Sequence, residues 1–272
     1  MTRRTVLLAM LLLPAVILPA AGQDKDFRFV ILGDRTGGPR QDLYAQTWAE
    51  IDKYGPDFVI NVGDTIQGTR DASAEAEWNE INAFLEKYKR YPFYRIAGNH
   101  DIWSDFSRGL FEKKTGHPAT YSFDFRSAHF TVLDNSGDDM LGPSQLKFLE
   151  DDLQKNSGRK PKFVFFHKPF WLVLLKAGNT NFPLHALARQ YGVDYVVSGH
   201  GHQFVRLVRD GVTYMEVGSS GANIGEPWRL DRGFNAGTFY HFVKAQVKGG
   251  DVQFTVKELD DPFGRARTFD AA

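Results

Sequence analysis

Short apolar segments alternate with segments of helical periodicity through the first two thirds of this chain. A strand is predicted at Phe27–Leu32, then a helix at Leu43–Tyr54, a strand at Phe58–Asn61 and a helix at Ala74–Lys89. The same patterns predict the further strands Phe93–Ala97, Tyr121–Phe125, His129–Leu133, Phe163–Phe166 and Asp194–Ser198, and the further helices Ser144–Gln154 and Leu184–Gln190. An alternation of this kind predicts a layered α/β domain.

The last quarter of the chain has a different pattern, in which strands follow one another without helices. Its predicted strands are Gln203–Arg209, Val212–Val217, Thr238–Val247 and Val252–Leu259. Strands joined through helices pair in parallel, whereas strands that follow one another pair antiparallel. The predicted fold class is therefore α/β with mixed sheets.

Length and composition limit the number of domains and the classes of site. The chain has 272 residues and no cysteine, so disulfides, thiolate metal ligands and a cysteine nucleophile are excluded. Its formal net charge is zero, and a nucleic acid polymer is therefore not an expected partner. A single domain over residues 23–272 fits this length.

Residues 1–22 have the pattern of a signal peptide. Arg3 and Arg4 precede the apolar stretch Val6–Leu18, and small residues precede a cleavage point before Gln23. The apolar stretch is shorter than the roughly 20 residues that span a bilayer, so no stable membrane anchor is expected. We predict export to the periplasm or secretion, and the arginine pair leaves the Sec and twin-arginine routes both open.

Side chains of the kinds that bind metal ions follow five of the predicted strands. They are Asp34, Asp64, the run Asn99-His100-Asp101, His167, and His200 with His202. Ligands bind beyond the carboxyl ends of the strands in open α/β sheets, so these side chains are expected to converge on one point. Glycines beside these positions allow sharp turns and a close approach of the backbone.

Each of these segments also has an ordinary explanation. A Gly-Asp pair after a strand is usually a turn, and His167 fits a hydrogen-bonded core position. His200 and His202 alternate in the manner of a strand, and this leaves open the alternative that their side chains point to opposite faces. Chance would have to place such residues after five separate strands, and this favours the convergent interpretation.

Together these segments resemble the signature of the calcineurin-like metallophosphoesterases. The matching runs are Gly33-Asp34, Gly63-Asp64, Gly98-Asn99-His100-Asp101, His167 and Gly199-His200-Gly201-His202. The resemblance implies a sandwich of two mixed β-sheets flanked by helices. It also implies two divalent metal ions, with manganese, iron, zinc and magnesium all open.

The resemblance also implies a role for each matching residue. Asp34, Asp64 and His202 would hold one ion, and Asp64, Asn99, His167 and His200 the second. A hydroxide bridging the two ions would attack a phosphate mono- or diester. His100 would protonate the leaving group as general acid, and Asp101 would orient His100.

One position departs from the family's pattern. The first motif usually has a histidine two residues after its aspartate, and here that position is Thr36. A hydroxyl is a poorer ligand than imidazole, so the first ion is expected to bind more weakly unless another residue compensates.

Some neighbouring residues are candidates for substrate contact. Arg35, Asn99 and Lys168 lie next to or among the predicted ligands, and the two cations are suited to phosphate. Trp103 and Trp171 are open between stacking on a substrate and packing in the core. The expected substrate is a small phosphoester, and the oligomeric state is undetermined. The alternative is a binding protein of this fold without catalysis, against which the presence of His100 argues.

Overall fold

A computed structural model describes residues 26–226, 228–229, 236–259 and 268–270. The predicted signal peptide at residues 1–22 lies outside this part of the chain. Among the described residues, no helix combines the length and apolar character needed to cross a bilayer.

The described part of the chain contains six α-helices. They are α1 (Gln41–Tyr54), α2 (Asp71–Leu85), α3 (Asp105–Thr115), α4 (Pro143–Lys155), α5 (Phe170–Lys176) and α6 (Pro183–Gln190), and a 3-10 turn at Glu86–Tyr88 follows α2. Helices α1, α2, α4 and α6 confirm the prediction with small shifts at their ends. The sequence did not predict α3, which buries little more than Leu110 and Phe111, or α5, whose apolar residues lack helical periodicity.

The first sheet has six strands in the order β14-β13-β12-β1-β2-β3. Their bounds are β1 (Phe27–Leu32), β2 (Phe58–Asn61), β3 (Phe93–Tyr94), β12 (His241–Lys248), β13 (Asp251–Glu258) and β14 (Thr268–Asp270). Strands β1, β2 and β3 pair in parallel, and β12 pairs with β1 antiparallel. Strand β3 is shorter than predicted because the backbone N–H of Ile96 donates to the side chain of Asn61 instead of to a neighbouring strand.

The second sheet has eight strands in the order β10-β11-β8-β9-β7-β6-β5-β4. Their bounds are β4 (Tyr121–Phe125), β5 (Ala128–Val132), β6 (Lys162–Phe165), β7 (Tyr195–Ser198), β8 (Phe204–Arg209), β9 (Val212–Val217), β10 (Trp228–Arg229) and β11 (Ala236–Thr238). The strand predicted at Thr238–Val247 is two strands, since β11 belongs to this sheet and β12 to the first. The chain crosses between the sheets at Phe239 and Tyr240.

The two sheets pack face to face over a core rich in phenylalanine. The ring of Phe29 stacks on Phe58 with centroids 4.9 Å apart, and its edge meets Phe130 and Phe163 at 5.5 and 5.4 Å. Full burial of each such side chain contributes about 1.5–3 kcal/mol. Separate clusters pack α1 and α2 against the first sheet and α4, α5 and α6 against the second. This confirms the predicted sandwich of two mixed sheets flanked by helices.

Candidate metal centre

The loops after β1, β2, β3, β6 and β7 meet at one edge of the sandwich. Two groups of side chains there have ligand atoms that all lie within 4.8 Å of one another: Asp34, Asp64 and His202 in the first group, and Asp64, His167 and His200 in the second. Asp64 belongs to both groups. The predicted convergence is therefore present in the described residues.

Asp34 is fixed by hydrogen bonds to the segments that follow β7 and β9. Its backbone N–H donates to Gly218, and its Oδ2 accepts from the backbone N–H of His200 at 2.8 Å. The residue is fully buried, and its Oδ1 has no hydrogen-bond partner. An unpartnered buried carboxylate oxygen is costly unless a cation or another donor satisfies it.

Asp64 lies in a left-handed backbone conformation, with φ of 53°. Its Oδ1 accepts from the backbone N–H of His100 at 2.9 Å, and its Oδ2 lies 3.3 Å from Nε2 of His167. The carboxylate is thus held between the two groups, as a shared ligand requires.

His167 presents a defined ring nitrogen to the centre. Its Nδ1 donates to the carbonyl of Val62 at 2.8 Å, which turns Nε2 towards Oδ1 of Asn99 at 3.1 Å and Nδ1 of His200 at 3.2 Å. A second hydrogen bond of this kind fixes the tautomer and the ring orientation of metal-binding histidines.

His200 and His202 both reach the centre from the turn that follows β7. Their φ angles are 76° and 52°, so this segment is not a strand. His202 donates from Nδ1 to the carbonyl of Asn223 at 2.6 Å, and its Nε2 lies 3.6 Å from Oδ2 of Asp34. The opposite-face alternative considered from the sequence is wrong.

Burial and neighbouring charges shift the pKa values of these groups in opposite directions. Burial raises the pKa of Asp34 well above its ordinary value, although the positive charge of His167 opposes this. Burial also acts to raise the pKa of Asp64, but the charge and hydrogen bond of His167 outweigh it and lower that pKa to about 2.

The pKa values of the histidines are also shifted in opposite directions. Burial acts to lower the pKa of His167, but Asp64 and Asp34 outweigh it and raise that pKa to about 9. Burial and the charge of His167 lower the pKa of His200 to about 4, and burial lowers that of His202. The imidazolium of His167 is thus paired with the carboxylate of Asp64, and a cation that binds here displaces its proton.

The residues present fit two divalent ions. Each group offers carboxylate oxygen and imidazole nitrogen, which suit manganese, iron, zinc and magnesium to different degrees. The unpartnered Oδ1 of Asp34 provides an acceptor without competing hydrogen bonds. Asn99 adds an amide oxygen to the second group through its approach to His167.

The structure corrects the role predicted for Asp101. Its carboxylate accepts hydrogen bonds from the backbone N–H groups of Thr65, Ile66 and Gly98, and it is fully buried. The Nδ1 of His100 instead lies 2.5 Å from the carbonyl of Gln67. Asp101 ties two ligand loops together, and the Gln67 carbonyl orients His100.

Thr36 does not take the place of a missing ligand. Its hydroxyl lies 2.9 Å from the carbonyl of Asp64 and 2.7 Å from that of Ile66, and the side chain is fully buried. Gly37 is the residue against His202, since an added Cβ there would lie 2.6 Å from Cε1 of the ring. The side chain at position 36 therefore braces the Asp64 loop.

The two predicted basic contacts have different surroundings. Arg35 donates to the carbonyl of Thr65 at 2.9 Å and packs over Tyr44, with Glu80 at 4.0 Å, and its contact with substrate stays a prediction. Lys168 lies beside His200 on a surface groove, and its Nζ is 3.3 Å from Asp139. Contact of Lys168 and Asn99 with substrate stays a prediction.

Several supporting residues had no signal in the sequence. The side-chain oxygen of Asn135 accepts hydrogen bonds from the backbone N–H groups of His167 and Lys168. Backbone carbonyls orient three of the histidines: Val62 orients His167, Gln67 orients His100 and Asn223 orients His202. Backbone acceptors are independent of residue type, so no motif marks them.

Of the two candidate tryptophans, Trp171 is fully buried in the core and Trp103 donates a hydrogen bond to Asp71.

The sequence model of the calcineurin-like phosphoesterase family matches residues 27–204, which include every proposed ligand. The chain belongs to the calcineurin-like phosphoesterase family. It is accordingly a metal-dependent phosphoesterase with a candidate centre built from the family's residue types.

Individual relatives are distant. The human tartrate-resistant acid phosphatase type 5 is 24% identical over 265 residues, which cover 78% of each chain. Purple acid phosphatase PPD1 of yellow lupin (Lupinus luteus) superposes with a TM-score of 0.68 at 17% identity, covering 93% of this phosphoesterase but 55% of the lupin chain. GAP50 of Plasmodium, described as the anchor in the inner membrane complex, superposes at 0.63 with 16% identity, covering 90% and 88%. The structural likenesses show a shared fold.

Removal of bound metal is expected to lower the melting temperature of this phosphoesterase. Asp34, Asp64 and Asp101 are all buried, and a cation that binds only the folded state stabilises it. A ligand at 100 times its dissociation constant adds about 2.7 kcal/mol, which for a domain of this size is about 5–10 °C. Calorimetry before and after dialysis against a chelator, with metal content verified, measures this shift. An unchanged melting temperature after complete removal would contradict metal binding at the centre.

Proposed function

We propose that this chain hydrolyses a small phosphate mono- or diester with two divalent metal ions, and that His100 is the general acid. The observation that carries this proposal is the sharing of Asp64 between the two ligand groups, with the backbone of His100 bound to the same carboxylate. The name of the human relative, an acid phosphatase, supports a phosphoester as substrate.

The residues at the centre have two kinds of role, binding of the metal ions and binding of the phosphate. Asp34, Asp64, Asn99, His167, His200 and His202 would hold the ions. When bound, two such ions lower the pKa of water and neutralise charge on the phosphoryl oxygens. Asn99 and Lys168 are placed to orient the phosphate, Lys168 as a point charge beside His200.

His100 would then protonate the leaving oxygen. Its Nδ1 donates to the carbonyl of Gln67, so Nε2 is the ring nitrogen available for proton transfer. General acid catalysis of this kind contributes about 10²–10⁴-fold. The position of His100 depends on Asp64 through its backbone, and this couples the proton donor to the ligand groups.

The decisive experiment assays the chain on mono-, di- and pyrophosphoesters after loading with manganese, iron, zinc or magnesium. We expect turnover with at least one metal and its loss in Asp64→Asn, because this change weakens both ligand groups at once. Asp210→Asn is the matched control, since Asp210 pairs with His185 away from the centre. Absence of turnover on every ester with verified metal binding would overturn catalysis.

That last result would favour the alternative of a binding protein that keeps the fold. GAP50 of Plasmodium, which shares this fold, is described as an anchor. A general acid has no purpose in a binding protein, and the fixed geometry of His100 supports the enzyme instead.

We also propose that the chain acts after export, in the periplasm or as a secreted protein. The support is the pattern of residues 1–22, with cleavage expected before Gln23. Mass spectrometry of the protein from its natural source tests this, and an intact Met1 in the mature protein would contradict it.

A further inference from the structure

A surface groove of about 450 Å³ runs outward from the candidate centre. Its lining residues are Asp139, Met140, Lys168, Pro169, Phe170, Val173, Leu174 and His200. His200 is one of the proposed ligands, so the groove adjoins the candidate centre. A volume of this size is typical of sites for small organic molecules, which occupy about 300–1,000 Å³.

Helix α5 explains why this groove is apolar. Its sequence Phe170–Lys176 is apolar up to its last residue. Trp171, Leu172 and Leu175 are buried against the second sheet, while Val173 on the opposite side is 73% exposed. A helix that is apolar all round normally has both sides covered. The outward side of α5 instead lines the groove.

Exposed apolar side chains are concentrated in this groove. Among the described residues, the large hydrophobic side chains with high exposure are Phe106, Met140, Val173 and Val208. Two of the four, Met140 and Val173, line this one groove. Scattered exposed hydrophobic residues need no explanation, but a contiguous apolar surface usually marks a binding site.

Lys168 stands at the boundary between the apolar groove and the proposed ligands. Its backbone is fixed at both ends by Asn135, which accepts from the N–H of Lys168 and donates to its carbonyl. Its Nζ pairs with Asp139, whose side chain is 92% exposed. An ion pair with so exposed a carboxylate contributes little, and Lys168 can exchange it for a phosphate oxygen.

We infer that the groove binds an apolar organic group of the substrate while its phosphate lies at the candidate centre. The substrate class is therefore a phosphoester of an alkyl or aromatic alcohol, in preference to one of a polyol or sugar. This inference rests on the proposed function and deepens it. Met140, Phe170, Val173 and Leu174 would contact the organic group, and Lys168 would contact the phosphate.

The test compares n-butyl, n-hexyl and 6-hydroxyhexyl phosphate with the metal-loaded chain. The leaving groups have nearly the same basicity, so the chemical step is constant across the series. We expect kcat/KM to rise about two- to fourfold per added methylene, as burial of each methylene predicts. The terminal hydroxyl of the third substrate should reverse most of the gain of the hexyl chain.

The variant Met140→Gln with Val173→Gln should remove this preference, because the apolar walls become polar while charge is unchanged. Val208→Gln is the matched control, since Val208 is also exposed but lies on β8 outside the groove. Equal kcat/KM on all three substrates, or a preference that survives in the double variant, would overturn the inference while leaving the proposed function in place.

Binding of phosphonates provides a readout that does not depend on turnover. Calorimetry should show that hexylphosphonate binds at least tenfold more tightly than methylphosphonate, and that the double variant loses the difference. If no phosphoester is hydrolysed, the proposed function fails, and this comparison still decides whether the groove binds an apolar group. Equal affinity for the two phosphonates would overturn the groove assignment.

Discussion

Replacement of His100 with alanine is expected to lower kcat on alkyl phosphates by about 10²–10⁴-fold. An alkoxide is a poor leaving group, and its departure needs a proton that Nε2 of His100 is placed to give. An aryl phosphate releases a phenolate that needs little protonation, so its loss should be much smaller. Steady-state kinetics on both substrate types, with metal content verified in each preparation, measure the difference.

His117→Ala is a suitable control for this comparison. His117 also has its Nδ1 at a backbone carbonyl, that of Pro118, 2.9 Å away, but it belongs to neither ligand group. Its replacement should leave both activities unchanged. Equal losses on alkyl and aryl substrates in His100→Ala would show that His100 binds phosphate without donating the proton.

The ligand set could be predicted from the sequence because its members follow strands. The order of strands brings their carboxyl ends to one edge, and this places Asp34, Asp64 and His167 together whatever the details of the loops. His200 and His202 lie in a turn in which both have positive φ angles. Sequence spacing does not carry that information.

The roles of the residues beside the ligands could not be predicted in the same way. Arg35, Thr36 and Asp101 all bond to the backbone of the Asp64 loop or its neighbours, about 30 residues away or more along the chain. Such contacts depend on how two loops pack together. The chemical type of Arg35 suggested phosphate, and the family resemblance suggested a metal site at Thr36 and His100 as the partner of Asp101. The structure shows that all three residues also support the loop that carries Asp64.

The same limit applies to the fold. Helix α5 was missed because burial on one side and the groove on the other make it apolar throughout, which hides the helical period. The break between β11 and β12 was missed because the chain changes sheets while staying largely buried, and the pattern of apolar residues does not change there.

Replacement of Gly98 with alanine is expected to disable both ligand groups through their shared member. A Cβ at this position would lie 2.1 Å from Oδ1 of Asp64 and 2.4 Å from its backbone N, closer than any real contact. Asp64 must move, and a displacement of about 1 Å in a catalytic constellation costs about 10²-fold in rate. Metal analysis should show fewer bound ions per chain, and turnover should fall at least that far.

The control for Gly98→Ala is Gly109→Ala, in the middle of α3. A Cβ at Gly109 meets nothing within 4 Å, and alanine there should stabilise the helix by about 0.5–1 kcal/mol relative to glycine. The two variants make the same chemical change, but only the first presses on a ligand. Full metal content and activity in Gly98→Ala would mean that the Asp64 loop can yield without moving its carboxylate. Asp64 would then not be the rigid link between the two groups, and the coupling of His100 to the ligands through its backbone would have to be abandoned.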